Sequence, residues 1–402
     1  MKTSPIALIS TLVSLALATT GCNLLTGADD LEVDGAGGGG QGGAGSGTQG
    51  VGAGITNGSG QTTGAGAGSS TQTGSTGTMT TSSTGGDPCG GPCGANENCD
   101  TQTGMCVCDP GFADNGGSCA AVDPGDPTLR TSAQVCSRWA SDHVITDANP
   151  FSSSGADCDI GTLSQGGLND TLTRINLYRW LSGLGPTSDD PALNATDQKC
   201  ANLESWWDFS SGGSPHSPPS SSKCYTPEGA SGAGMSNIAW GNGPADSIDQ
   251  FIEDNGNETT MGHRRWIVNP PLGPVGIGYW EGGGTYGRAE CLAVFGSQGG
   301  GPNPSWVAVP NQGFVPLTIA TWTWTFHSSL GGTVNATPTV LRVSDNTPLA
   351  VTKLPLSQGY GQDCISWKPN GWTAVANETY RVTISGLTGG DITYDVKPVS
   401  CN

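Results

Sequence analysis

Positive charge is scarce in this 402-residue sequence: Lys and Arg total 15 against 34 Asp and Glu, and neither occurs between residues 3 and 129. The formal net charge of -19 repels a phosphate backbone, which argues against nucleic acid as a partner, and its plainest role is solubility. Apolar residues make up only 34% of a chain that holds 66 glycines, so much of it buries nothing and the core must be concentrated. Histidine is rarer still, at four in the whole chain, and none stands in the His-Glu-x-x-His spacing of the common zinc-protease helix. Long apolar runs are missing too, since the stretch from Ile6 to Ala18 is too brief to span a bilayer comfortably.

That stretch follows Met1-Lys2-Thr3 and reads as a secretion signal over residues 1–21. It ends at Thr19-Thr20-Gly21-Cys22, which resembles a bacterial lipobox, with Thr19 where Leu is usual. The resemblance implies a lipid-bearing Cys22 that anchors the chain to a membrane. Several acyl chains, at about 0.8 kcal/mol per buried methylene, hold firmly. Asn23 follows in place of Asp, which by the same resemblance points to the outer membrane or cell surface. Ordinary cleavage near the same point, with a leftover thiol, is the alternative. Residues 22–87 form a tether, almost wholly Gly, Ser, Thr, Ala and Gln from residue 27 onward, too polar to repay the entropy of ordering. As a flexible coil it reaches roughly 40–45 Å.

Fourteen cysteines in an exported chain imply disulfides and an oxidising compartment. Six follow the spacing Cys89-x3-Cys93-x5-Cys99-x6-Cys106-x-Cys108-x10-Cys119, with Asp109-Pro110-Gly111-Phe112 after the fifth. Their count alone leaves the pairing open. The spacing resembles an EGF-like module over residues 88–120, and the resemblance implies the bonds Cys89–Cys99, Cys93–Cys106 and Cys108–Cys119. Asp87 and Asp100 lack the acidic and amide run that calcium-binding members carry before the first cysteine, so the module reads as a spacer or contact element. A connector, residues 121–165, carries Cys136 and Cys158. Proximity along the chain suggests the further pairs Cys136–Cys158, Cys200–Cys224 and Cys364–Cys401, with Cys291 left as a buried free thiol.

From Gly167 the pattern changes. Leu168, Leu172, Ile175, Tyr178 and Leu181 recur at helical spacing, opened by Asn169 or Asp170 and closed by Gly183, Gly185 and Pro186. A second helix is signalled by Asn194 as cap with Asp197 three residues on, and a third by Pro244, with Ile248, Phe251 and Ile252 on its inner face. The runs Val275–Trp280 and Arg288–Phe295 then read as strands. Helices followed by a small antiparallel sheet define an α+β class.

The two informative histidines lie within this stretch: His216 in Ser214-Pro215-His216-Ser217, and His263 in Met261-Gly262-His263-Arg264-Arg265-Trp266. Neutral imidazoles are common metal ligands, and a nearby acid such as Glu253 or Asp254 could complete a shell or polarise a water. For a single histidine, a hydrogen-bonded structural role is the competing reading. Arg264 and Arg265 suit an anion, but salt bridges to Glu253, Asp254 and Glu258 are the expectation. Ser217 has no Gly-x-Ser-x-Gly elbow around it and is discounted as a nucleophile.

The segments Asn176-Leu177-Tyr178-Arg179-Trp180-Leu181, His216, Ser236-Asn237-Ile238-Ala239-Trp240-Gly241, Gly262-His263-Arg264-Arg265-Trp266-Ile267 and Val275-Gly276-Ile277-Gly278-Tyr279 occur in the order of the CAP superfamily, the SCP or cysteine-rich secretory protein domains. The resemblance covers residues 166–300. It implies an α-β-α sandwich with a large cleft in which His216 and His263 face each other, with zinc as the candidate metal. Ser236 stands where the family often has Glu, which removes the acid that would pair with a histidine and disfavours hydrolysis. Which of Glu253 and Asp254 matches the family's second acid stays open. Family membership alone licenses no reaction.

Residues 301–402 alternate as strands throughout, as in Thr321-Trp322-Thr323-Trp324-Thr325-Phe326 and Tyr380-Arg381-Val382-Thr383-Ile384, and read as a β-sandwich. Trp322, Trp324 and Phe326 share a face. Such a stripe is usually core, although it could stack on sugar rings. The whole chain thus reads as an exported, lipid-anchored surface protein that binds a ligand, lipid or neighbouring cell component through the CAP groove. The alternative is a zinc-dependent or acid-assisted hydrolase of peptides or cell-wall polymers using His216 and His263.

Overall fold

The computed structural model describes residues 89, 91, 93, 94, 97–100, 104–108, 112–114, 119–121, 126–211, 213–295 and 303–401. The signal, Cys22 and the tether lie outside the described residues. Residues 34–109 belong to one compact unit, whose described part is a hairpin of β1 (Glu97–Asp100) and β2 (Met105–Cys108). Cys99 stands opposite Cys106 in its antiparallel register. The bonds Cys89–Cys99 and Cys93–Cys106 close it, as a segment with so little apolar surface requires. The expected Cys108–Cys119 bond falls on side chains outside the described residues.

Residues 110–402 belong to the other unit. A short hairpin, β3 (Phe112–Asp114) with β4 (Cys119–Ala121), comes first. Helix α1 (Ser132–Asp142) starts at a capping box in which Thr131 and Gln134 satisfy each other's backbone. A two-stranded pair, β5 (Phe151–Ser152) and β6 (Thr162–Leu163), leads to α2 (Gln165–Leu181). Helix α2 begins before Asn169 because Ser164 Oγ already accepts from the Gly167 amide at 3.0 Å. Helix α3 (Pro191–Ser205) is capped by Asp190 with Pro191 at its first position, so Asn194 is helical rather than a cap. There follow α4 (Pro227–Ala233), β7 (Ser236–Trp240), α5 (Pro244–Glu253), α6 (Gly262–Ile267), β8 (Gly276–Glu281) and β9 (Arg288–Ala293).

Strands β7, β9 and β8 form an antiparallel sheet with β9 central. One face packs Ala239, Ile277, Tyr279 and Leu292 with Ile175 and Leu177 of α2 and Ile248 and Phe251 of α5. The other face carries Ile238, Trp280 and Cys291 against Cys200 and Ala201 of α3. The sheet therefore lies between helices, a mixed α and β head. Helix α3 rests almost directly on β8: a Cβ at Gly278 would come within 2.0 Å of the Asp197 backbone, which explains the alternating glycines of Val275-Gly276-Ile277-Gly278.

The C-terminal part is β-rich. One sheet has the order β10 (Trp306–Val309), β12 (Trp324–Ser328), β16 (Asp363–Pro369), β15 (Val351–Leu354). The other runs β11 (Gly313–Pro316), β18 (Ile392–Val399), β17 (Tyr380–Ser385), β13 (Thr337–Arg342), β14 (Thr347–Leu349), with β11 parallel to β18. A one-turn helix, α7 (Leu317–Ala320), links β11 to β12. Trp324, Phe326, Ile365 and Trp367 of the first sheet meet Val340, Val382, Ile384 and Val396 of the second in one core. Val307, Val309 and Val399 instead join the core of the head.

Three pairings expected from chain proximity are corrected. Cys136 of α1 bonds Cys401, Cys158 bonds Cys224, and Cys200 bonds Cys291. Neighbours in sequence separate once the elements pack: Cys200 looks from α3 across to Cys291 on the central strand, and α1 packs against β11, which pairs with the last strand, so that Cys136 reaches Cys401. Cys364, expected in a bond, is the free and buried thiol among the described residues. Among the described residues Arg264 and Arg265 form no salt bridge with the nearby acids. Arg264 donates to the carbonyls of Ile252, Glu253 and Thr323 at 2.5, 3.0 and 2.5 Å, and Arg265 to those of Thr260 and Ser357 at 3.1 and 2.6 Å. Both guanidiniums are buried and tie the head to the β-sandwich. No described helix is long and apolar enough to cross a membrane.

Candidate functional site

His216 lies in the loop between α3 and α4, and its Nδ1 stands 2.9 Å from the Ala233 carbonyl at the end of α4. A carbonyl only accepts, so Nδ1 carries the proton and Nε2 is left with its lone pair. His263 is the second residue of α6, and its Nδ1 stands 2.8 Å from Asp254 Oδ1. That carboxylate fixes the same tautomer. The Phe251 ring lies 5.1 Å from the His263 ring, and Asn237 of β7 donates to the His263 carbonyl at 3.0 Å. Among the described residues neither Nε2 has a hydrogen-bond partner.

Burial pushes the His216 imidazole down to about 4; the Ala233 carbonyl opposes the shift and charge on His263 adds to it. The acids fare differently. Asp254 caps α5 in the left-handed conformation, φ 54°, a geometry Asp tolerates better than most residues. Its carboxylate is occupied by His263, by Asn257 Nδ2 at 3.0 Å and by the Arg264 amide at 3.3 Å. It orients a histidine from behind. Glu253 is exposed and lines a separate cleft with Trp322 and Trp372. His143 stands elsewhere, 2.6 Å from the Trp139 carbonyl, and His327 is buried in the β-sandwich.

The fit of zinc follows from these positions. Two imidazoles with anchored Nδ1 atoms would supply at most two of the three or four protein ligands that zinc normally takes. Among the described residues no third His, Cys, Asp or Glu joins them within ligand reach. The grouping of that kind that does occur is Cys89, Cys93 and Cys106, and those sulfurs are spent in disulfides.

Asp197, expected three residues after a cap at Asn194, has a different structural role. Asp197 is fully buried, accepting from the Ala293 amide at 2.6 Å and lying 3.1 Å from Ser236 Oγ. Ser236 gives its one hydroxyl hydrogen to the Gly232 carbonyl at 2.7 Å, so the contact to Asp197 is made with the proton on the carboxyl. Burial pushes the Asp197 carboxyl up to about 8. The signal was present: Asp190-Pro191 is a stronger helix start than Asn194, and a start there places Asp197 two turns in, on the side of Leu193 and Cys200. Glu204 of α3 and Glu290 of β9 are buried as well, and desolvation raises both carboxyls well above the ordinary range. No family model matches this chain, and no curated protein matches it.

Proposed function

We propose that this is an exported, lipid-anchored surface protein whose head, similar to the CAP superfamily in its ordered motifs, binds a ligand at the His216–His263 pair. The single observation that carries the reading is the disposition of the acids around the two imidazoles. Asp254 is consumed in orienting His263, Ser236 replaces the acid expected by resemblance and is engaged with Asp197 and Gly232, and Glu253 lies in another cleft. Two polar acceptors without a free carboxylate base suit recognition better than hydrolysis. A tether of some tens of residues would carry the head away from the membrane toward a partner.

A second reading, zinc-dependent hydrolysis of peptides or wall polymers, draws on the anchored Nδ1 atoms. Zinc held by the two Nε2 atoms would act as a Lewis acid and polarise water, while Asp254 and the Ala233 carbonyl keep the rings oriented. The experiment that separates the readings uses the full-length protein purified from membranes. Mass spectrometry of extracted small molecules and lipids is expected to find a ligand that a His216→Ala/His263→Ala variant loses. Turnover of casein or purified peptidoglycan in added zinc, abolished by His263→Ala, would overturn binding in favour of hydrolysis.

A further inference from the structure

We propose a second binding site, for a neutral saccharide chain, in the cleft between the end of α5 and the β-sandwich. The cleft has a volume of about 410 Å³ and is lined by Glu253 and Asn255 from the head and by Trp322, Thr323, Lys368 and Trp372 from the sandwich. That volume falls in the range of small-molecule sites. It does not involve the histidine pair.

Its walls have the composition a sugar requires. Two residues further along the chain, Trp324 is fully buried in the sandwich core, whereas Trp322 and Trp372 are half-buried and border open space. Both indoles are held in place. The Trp372 ring stacks on Tyr380 at 5.2 Å and its Nε1 donates to the Ala350 carbonyl at 2.6 Å, and the Trp322 ring lies 6.3 Å from Tyr178. Fixed indoles offer apolar surface to the C–H face of a pyranose at little cost in side-chain entropy. Around them stand the groups that hydroxyls need: the Asn255 amide, the Glu253 carboxylate and the Thr321, Thr323 and Thr373 hydroxyls.

Charge narrows the class. The cation in the cleft, Lys368, is paired to Glu258 at 2.9 Å, and the Glu253 carboxylate on the opposite wall is exposed. Together with the net charge of -19 this repels uronates, sulfated glycans and phosphate-bearing polymers. The polar lining suits neither an acyl chain nor a sterol.

The test titrates the full-length chain with cellohexaose, maltohexaose, laminarihexaose and chitohexaose, and with hexagalacturonate as the anionic probe, by calorimetry and tryptophan fluorescence. At least one neutral hexamer is expected to bind saturably and to perturb the fluorescence, and the anion is not. Trp322→Ala is expected to weaken that binding by at least about ten-fold. Trp322 also touches the core, so the exposed Asn255→Trp, which fills the cleft, provides a second variant. It is expected to abolish binding with an unchanged melting temperature. Failure of every neutral hexamer to bind, equal or tighter binding of hexagalacturonate, or binding that survives both substitutions would overturn the proposal.

Discussion

Asp254 Oδ1 meets His263 Nδ1 at 2.8 Å, and the left-handed backbone of Asp254, φ 54°, is what turns the carboxylate back toward α6. One residue thus ends a helix and fixes an imidazole. Asp254→Asn keeps an acceptor and tolerates the left-handed conformation, and is expected to change stability by less than about 1 kcal/mol. Asp254→Ala loses three hydrogen bonds in a buried site and is expected to cost about 2–4 kcal/mol in urea unfolding. If the pair takes zinc, Asp254→Ala is further expected to weaken it about 10–100-fold.

Asp197 links stability to pH. Its carboxyl, pushed from 3.8 up to about 8 by burial, holds a proton in the folded state that the unfolded chain releases near pH 4. Between those limits the folded form binds one proton more, so this group's contribution to stability falls as pH rises from about 4 to about 8 and is level above, with a slope of about 1.4 kcal/mol per pH unit. Asp197→Asn reproduces the protonated geometry, donating to Ser236 Oγ and accepting from the Ala293 amide. It is expected to stabilise the protein at pH 8 relative to the parent and to match it at pH 4. Equal stability differences at the two pH values would show that Asp197 is ionised in the fold.

The Cys136–Cys401 bond joins positions 265 residues apart, and closing so long a loop restricts the unfolded chain strongly. A Cys136→Ser/Cys401→Ser variant is expected to lose about 2–4 kcal/mol of unfolding free energy. Cys364 behaves oppositely: burial pushes its thiol up to about 11, so little thiolate forms. Non-reducing peptide mapping is expected to find Cys364 unalkylated by iodoacetamide in the native protein and alkylated in denaturant.

Arg264 lays its guanidinium along a seam, with three hydrogen bonds to backbone carbonyls and one to Thr325 Oγ1. Its guanidinium satisfies the carbonyls of Ile252, Glu253 and Thr323, and Lys cannot reproduce that fork. Arg264→Lys and Arg264→Met are both expected to destabilise by about 3 kcal/mol or more, with carbonyls left buried and unpaired. A neutral effect of Arg264→Lys would mean that charge, not geometry, holds the seam.

Much of this arrangement was legible in the sequence because it is periodic. Helix α5 and strand β17 bury the face their pattern marks, whereas α2, β8, β9 and β12 form as expected but are buried beyond the marked face because they lie inside the fold. Each of the two histidines that the motifs selected has its Nδ1 anchored, His216 at the Ala233 carbonyl and His263 at Asp254. What failed were inferences from proximity along the chain. Disulfide partners are set by packing of distant elements, so Cys200 found Cys291 across a helix–sheet interface rather than nearby Cys224. The arginines beside Glu253 and Asp254 took carbonyls rather than carboxylates because α6 points them into the seam with the sandwich. Alternation likewise identified the stripe of Trp322, Trp324 and Phe326 but not where it ends. Trp324 and Phe326 enter the core, and Trp322 precedes the strand at the border of an open cleft.

The proposal that His216 and His263 form one site, each ring held at Nδ1 and offering Nε2, is tested most directly by imidazole nitrogen NMR on selectively labelled protein at neutral pH. Both rings are expected to show the Nδ1–H tautomer, and one equivalent of zinc should shift the two Nε2 resonances together. An Nε2–H tautomer at either ring, or zinc perturbing one ring and leaving the other unmoved, would contradict the arrangement.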